Sequence, residues 1–182
     1  MSKSIKELIR EEYIKCAKEP VYFFRKYCYI QHPTRGKILF DLYQFQENVM
    51  DNLNDHRYNV ILKSRQLGIS TLSAGYSLWM MLFQEDKNIL VIATKQEVAK
   101  NIVTKVRYMH ESLPSWLRGD TIEDNKLSLR LGNGSQIKAT SASGDAGRSE
   151  ALSMLIIDEA AFVRGIDDIW ASAQSTLSTG GS

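Results

Sequence analysis

Tyr58-Asn59-Val60-Ile61-Leu62, running into Lys63-Ser64-Arg65-Gln66-Leu67-Gly68-Ile69-Ser70-Thr71, is the stretch on which the fold turns. Its first five residues are rich in β-branched and aromatic types, which predicts a strand. Beyond the loop, Leu72, Tyr76, Trp79, Met80 and Phe83 recur as one face of a helix, so the order is strand, loop, helix. Such a loop can point backbone N–H groups at a phosphate, but a triphosphate also needs a nearby cation and a hydroxyl for Mg²⁺. Against the pattern G-x-x-x-x-G-K-S/T, Gly68 is the second glycine and Ser70 the hydroxyl. Lys63 stands at the first glycine, however, and Ile69 at the lysine. Taken alone the match is weak, and a plain strand-to-helix turn with exposed basic residues explains it equally well.

Leu155-Ile156-Ile157-Asp158-Glu159 changes that balance. It reads as an apolar strand ending in two carboxylates, at the sheet edge where α/β proteins bind ligands. Alone it could be an acidic strand end facing water. Together the two motifs make a nucleotide hydrolase the economical reading. Ser70 and Asp158 would hold Mg²⁺, Glu159 would polarise the attacking water, and Lys63 or Arg65 would replace the missing lysine, with Lys63 preferred. The ATP-binding set is then Lys63, Ser64, Arg65, Gln66, Leu67, Gly68, Ile69, Ser70 and Thr71.

The surrounding sequence fits the same class. Asn88–Ala93 is a continuous apolar run with the look of a buried parallel strand. Val98, Ile102, Val103, Val106 and Met109 mark a helix that Pro114 helps to end. Leu127, Leu129 and Leu131 alternate up to Gly132-Asn133-Gly134, and Ile137 and Ala139 resume the alternation, which predicts a β-hairpin. Upstream, Ile5, Leu8, Ile9 and Tyr13 predict a helix, and Pro20–Ile30 is an aromatic stretch read as core packing. A loop follows at His32–Gly36, then a helix through Phe45, Val49, Met50 and Leu53. The alternation gives an α/β fold with a mainly parallel sheet flanked by helices, an N-terminal helical segment and an inserted β-hairpin. Residues 1–40 form the N-terminal segment and 41–182 the core.

With 182 residues, 43% hydrophobic and 24% charged, the chain has the composition of one folded domain, which excludes wholesale disorder. A net charge of +2 is too balanced to indicate nucleic acid or a membrane surface by itself. Cys16 and Cys28 are the two cysteines, so neither a disulfide framework nor a zinc spacing is present. An intracellular setting is expected, since no apolar run approaches the roughly 20 residues of a membrane span and the N-terminus does not read as a signal peptide.

Several of these segments, taken in order, resemble the large terminase subunits of tailed bacteriophages, the ATPases that pump DNA into proheads. The resemblance rests on Pro20–Phe24, His32–Gly36, Leu42–Gln46, Lys63–Thr71, Asn133–Ser135, Gly147-Arg148 and Ile156–Phe162. It is closest to the T-even-like branch, whose loop reads Ser-Arg-Gln-Leu-Gly-Lys-Thr-Thr, and the chain departs from it at Ile69. Other terminases place a lysine at the start of the loop, where Lys63 stands. The resemblance implies a P-loop NTPase of the ASCE type using ATP and Mg²⁺, with Gln46 reading adenine and Arg148 reaching a neighbouring subunit's ATP. It also implies double-stranded DNA, a portal ring and a small terminase subunit as partners, and a ring, pentameric on the portal. The setting would be the cytoplasm of the infected host rather than the mature virion. The family's subunits continue into a coupling strand and an RNase H-like nuclease, neither of which is read here, so a front portion truncated after the acidic strand is expected. Two alternatives are a helicase-like translocase and a ring module that binds ATP without hydrolysing it.

Overall fold

The computed structural model of the chain describes residues 3–142 and 151–177. Helix α1 (Ile5–Lys18) begins where Ser4 Oγ accepts from the Glu7 N–H at 3.3 Å and the Glu7 carboxylate accepts from the Ser4 N–H at 2.7 Å. That reciprocal cap pairs two N–H groups the helix leaves without partners. Pro20 opens α2 (Pro20–Tyr27), where its missing N–H is no loss. The aromatics of α2 behave as core, Phe23 and Phe24 being fully buried. The loop expected at His32–Gly36 is the turn of a small hairpin, β1 (Tyr29–His32) and β2 (Gly36–Leu39). Helix α3 (Gln44–Asp55) follows, as its periodicity predicts.

The strand predicted over Tyr58–Leu62 is not formed. The segment is irregular and, among the described residues, pairs with no other strand. Its residue types suit a pleated surface, but a strand exists only through its ladder partners. Val60 and Leu62 are accordingly 99% and 100% exposed.

The predicted helix after the loop is α4 (Ile69–Phe83), and it is buried on nearly all sides rather than along one face. Helix α2 covers it so closely that a Cβ on Gly75 would lie 2.5 Å from the Phe24 ring. Trp79 Nε1 donates to the Cys16 carbonyl at 2.9 Å and ties α1 to the same helix. Strand β3 (Asn88–Ala93) and helix α5 (Gln96–Glu111) come next, α5 packing along α4. After the short α6 (Ser115–Arg118) run β4 (Thr121–Asn125), β5 (Ser128–Leu131), β6 (Gln136–Ser141) and β7 (Met154–Ile157). A 3₁₀ turn at Ala160–Phe162 and helix α7 (Ile166–Leu177) complete the described chain.

The main sheet has the order β4-β5-β6-β3-β7. β3 is parallel to both neighbours, with Ile89 opposite Ile137 on one side and Met154 on the other. β4, β5 and β6 form an antiparallel meander. The predicted hairpin is β5–β6, with Leu129 opposite Ile137, and β6 is also the parallel neighbour of β3. It is therefore part of the central sheet. β3 and β7 end on the same edge, where the chain turns out at Asp158.

Candidate functional site

The loop before α4 has a backbone suited to an anion. Gln66 (φ 64°) and Gly68 (φ 72°) both lie in the left-handed region on either side of Leu67, and Gly68 caps the helix. Alternating left- and right-handed residues turn successive N–H groups toward one concavity. Thr71 N and Leu72 N both donate to the Gly68 carbonyl, at 3.0 and 2.8 Å. The N–H groups of Ile69 and Ser70 have no backbone acceptor among the described residues. They sit at the positive end of a fifteen-residue helix whose first turn holds no acidic residue, where a phosphate is favoured.

Side chains around the loop divide by exposure. Lys63, Ser64, Arg65, Gln66 and Leu67 are exposed, while Ile69 is 7% exposed and belongs to the core cluster under α4. The residue replacing the usual lysine is thus packing, while Lys63 and Arg65 are the basic side chains of the loop itself. Ser70 and Thr71 are half-buried in the first turn.

The second motif meets the first. Ser70 Oγ donates to Asp158 Oδ2 at 2.9 Å, joining residues 88 positions apart. Asp158 is half-buried, its N–H donating to the Ile92 carbonyl as β7 ends. Glu159 is exposed, takes φ 54°, and donates its N–H to Asp158 Oδ1 at 3.1 Å. This left-handed turn gives the adjacent carboxylates different settings, Asp158 held against the loop and Glu159 open to solvent. A hydroxyl and a carboxylate are hard oxygen donors, and no cluster of three or more His, Cys, Asp or Glu side chains occurs among the described residues. Mg²⁺ takes few protein ligands and relies on water and substrate oxygens, so this pair fits it.

Gln46 is 1% exposed in the first turn of α3 and faces the loop. Its Nε2 donates to the Leu67 carbonyl at 2.9 Å, and its Oε1 accepts from the Tyr43 N–H at 3.0 Å. This brace was not legible in the sequence, because the two ends it joins are 21 residues apart. Arg148 lies outside the described residues. A cavity of about 600 Å³ is lined by Leu53, Tyr76, Lys87 and Leu152. It opens at the beginning of β7, the opposite end of that strand from Asp158, and so does not belong to this site.

Comparison with known proteins bears on the family and the fold. The family described as terminase large subunit, T4-like virus type, N-terminal, matches residues 60–182. The crystal structure of the HK97 bacteriophage large terminase superposes with a TM-score of 0.67 at 21% identity, over 87% of this chain and 35% of that one. The ATPase domain of the Thermus phage P74-26 large terminase gives 0.55 at 21% identity, over 77% of this chain and 61% of that one, and a point variant of it gives 0.57. The chain thus spans about a third of the HK97 protein and about three fifths of the P74-26 domain. At this identity the likeness establishes the fold, that of terminase ATPase domains.

Proposed function

The chain belongs to the T4-like family of large terminase subunits, in their N-terminal part, and from that premise we propose that it is the ATP-hydrolysing motor domain that drives double-stranded DNA into a prohead. The observation that carries the proposal is the Ser70–Asp158 hydrogen bond, which joins the phosphate loop to the acidic strand end at the edge shared by β3 and β7. The N–H groups at the start of α4 bind the phosphates. Ser70 and Asp158 hold Mg²⁺, which when bound supplies positive charge to the phosphate oxygens. Lys63 or Arg65 adds the cation that Ile69 cannot. Glu159, exposed beside Asp158, accepts the proton of the attacking water and aims it in line with the leaving group.

In this proposal Arg148 completes the site of a neighbouring subunit, which makes turnover depend on a ring, pentameric on the portal. The small terminase subunit would deliver DNA, and the motor would work in the cytoplasm of the infected bacterium. The test is ATP binding and turnover by the full-length subunit assembled on its portal. Glu159→Gln should retain ATP binding and slow turnover by about 10²-fold or more, the usual contribution of a positioned base. Unchanged turnover removes Glu159 from the mechanism. Binding without turnover in the unaltered motor favours a nucleotide-sensing ring, and no ATP binding overturns the proposal altogether.

A further inference from the structure

Family resemblance assigns Gln46 to the adenine base, yet its amide is occupied and inaccessible. At 1% exposure no base reaches it without displacing protein, and both of its ends are bonded. The orientation of the amide is fixed by its partners. Reversed, it would set a donor against the Tyr43 N–H and an acceptor against the Leu67 carbonyl, both repulsive. What it holds is one peptide unit of the phosphate loop. In a trans peptide the C=O of one residue and the N–H of the next point in opposite directions. Drawing the Leu67 carbonyl inward to Gln46 therefore turns the Gly68 N–H outward, toward the open side of the loop. Gly68 fits this closely, since a Cβ there would lie 2.7 Å from Gln46 Nε2. Two left-handed residues flank Leu67, so its peptide planes are not set by a regular helix or ladder and need an outside anchor.

We infer that Gln46 is a positioning residue that aims the Gly68 N–H at the phosphates of the nucleotide, and that it does not read the base. The inference rests on the nucleotide site proposed above. Without the amide, the Leu67–Gly68 peptide is free to rotate and to present a carbonyl where the phosphate expects a donor. Loss of Gln46 then weakens every ligand bearing the polyphosphate by one factor, whatever its base, whereas a base reader affects ATP alone.

The experiment is calorimetric titration of the full chain and its Gln46→Met variant with Mg²⁺ and three probes: ATP, GTP and inorganic tripolyphosphate. Methionine keeps the length of the side chain and removes both the donor to the Leu67 carbonyl and the acceptor for the Tyr43 N–H. The expected result is a loss of about fivefold to tenfold in affinity, the weight of one hydrogen bond, equal for all three probes. Weakened ATP with unchanged tripolyphosphate overturns the inference in favour of base reading, and no change for any probe overturns it outright. If the variant lacks a cooperative thermal transition, the amide resonance of Gly68 is followed in the unaltered chain during titration with tripolyphosphate. A large shift of that amide is expected, and a silent Gly68 beside a shifting Ser70 overturns the inference. Failure of the unaltered chain to bind ATP and tripolyphosphate alike refutes instead the proposed nucleotide site.

Discussion

Gly68→Ala probes the loop from the far side of the Gln46 amide, and its cost has two parts. At φ 72° an L side chain costs about 1–2 kcal/mol of backbone strain. The new Cβ also falls 2.7 Å from Gln46 Nε2, inside van der Waals contact. A long side chain would ordinarily swing aside, but this one is buried and bonded at both ends, so relief means giving up the Leu67 carbonyl, about 0.5–1.5 kcal/mol. Gly36→Ala is the natural control, because Gly36 has φ 68° and a Cβ there meets nothing within 4 Å. Only the strain applies to it. Urea unfolding of the two variants should show Gly68→Ala losing about 1 kcal/mol more than Gly36→Ala, and in heat roughly 2–4 °C more for a chain of this size. Equal losses would mean that the Gln46 amide moves freely and that nothing anchors the loop on that side.

Ser70→Ala should weaken binding of Mg²⁺-ATP by about tenfold, the weight of a charge-assisted contact, while leaving metal-free ATP unchanged; equal losses in titrations with and without Mg²⁺ would remove Ser70 from the metal site. Lys63→Ala should abolish most turnover of the assembled motor and Arg65→Ala less, and a silent Lys63→Ala beside a damaging Arg65→Ala transfers the cation to Arg65. His110 supplies a pH dependence. Its ring is buried, and Nε2 donates to the Arg118 carbonyl at 2.6 Å. Burial outweighs the hydrogen bond to the Arg118 carbonyl and, with the nearby Arg118 charge, pushes its pKa below the ordinary 6.5. The unfolded chain then binds the extra proton first as the pH falls, so His110 makes stability decline from about pH 6.5 downward. Urea unfolding at pH 7.5 and 5.5 should show a smaller decline for His110→Gln, and an identical decline would exonerate this residue.

What the sequence discloses here is chiefly what neighbouring residues decide. α3 and α5 carry their own periodicity, and Asp158-Glu159 announces itself by two charges at the end of an apolar run. The site is legible to the extent that its chemistry is tied to residue type: a hydroxyl at Ser70 and a carboxylate at Asp158 imply each other across 88 positions. Pairing is another matter. Tyr58–Leu62 has strand composition and, among the described residues, no ladder partner, whereas β4 pairs with β5 although every residue of Thr121–Asn125 is exposed and no apolar alternation marks it. Ile69 reads as a gap in a familiar pattern until its burial shows what it does instead. For Gln46, nothing local in the sequence reveals that both ends of its amide are engaged within the protein.

The open Tyr58–Leu62 segment bears on how this chain behaves in concentrated solution. Among the described residues no strand pairs with this segment, and beside fully exposed Val60 and Leu62 its backbone is a template on which another polypeptide can add as a strand. Arg57 and Lys63 bracket the segment with positive charge, and like charges on approaching copies act as gatekeepers that slow such addition. Raising the salt concentration screens that repulsion and leaves the apolar attraction in place. Self-association through this segment is therefore expected to rise with ionic strength, which light scattering of the chain at low and high salt checks.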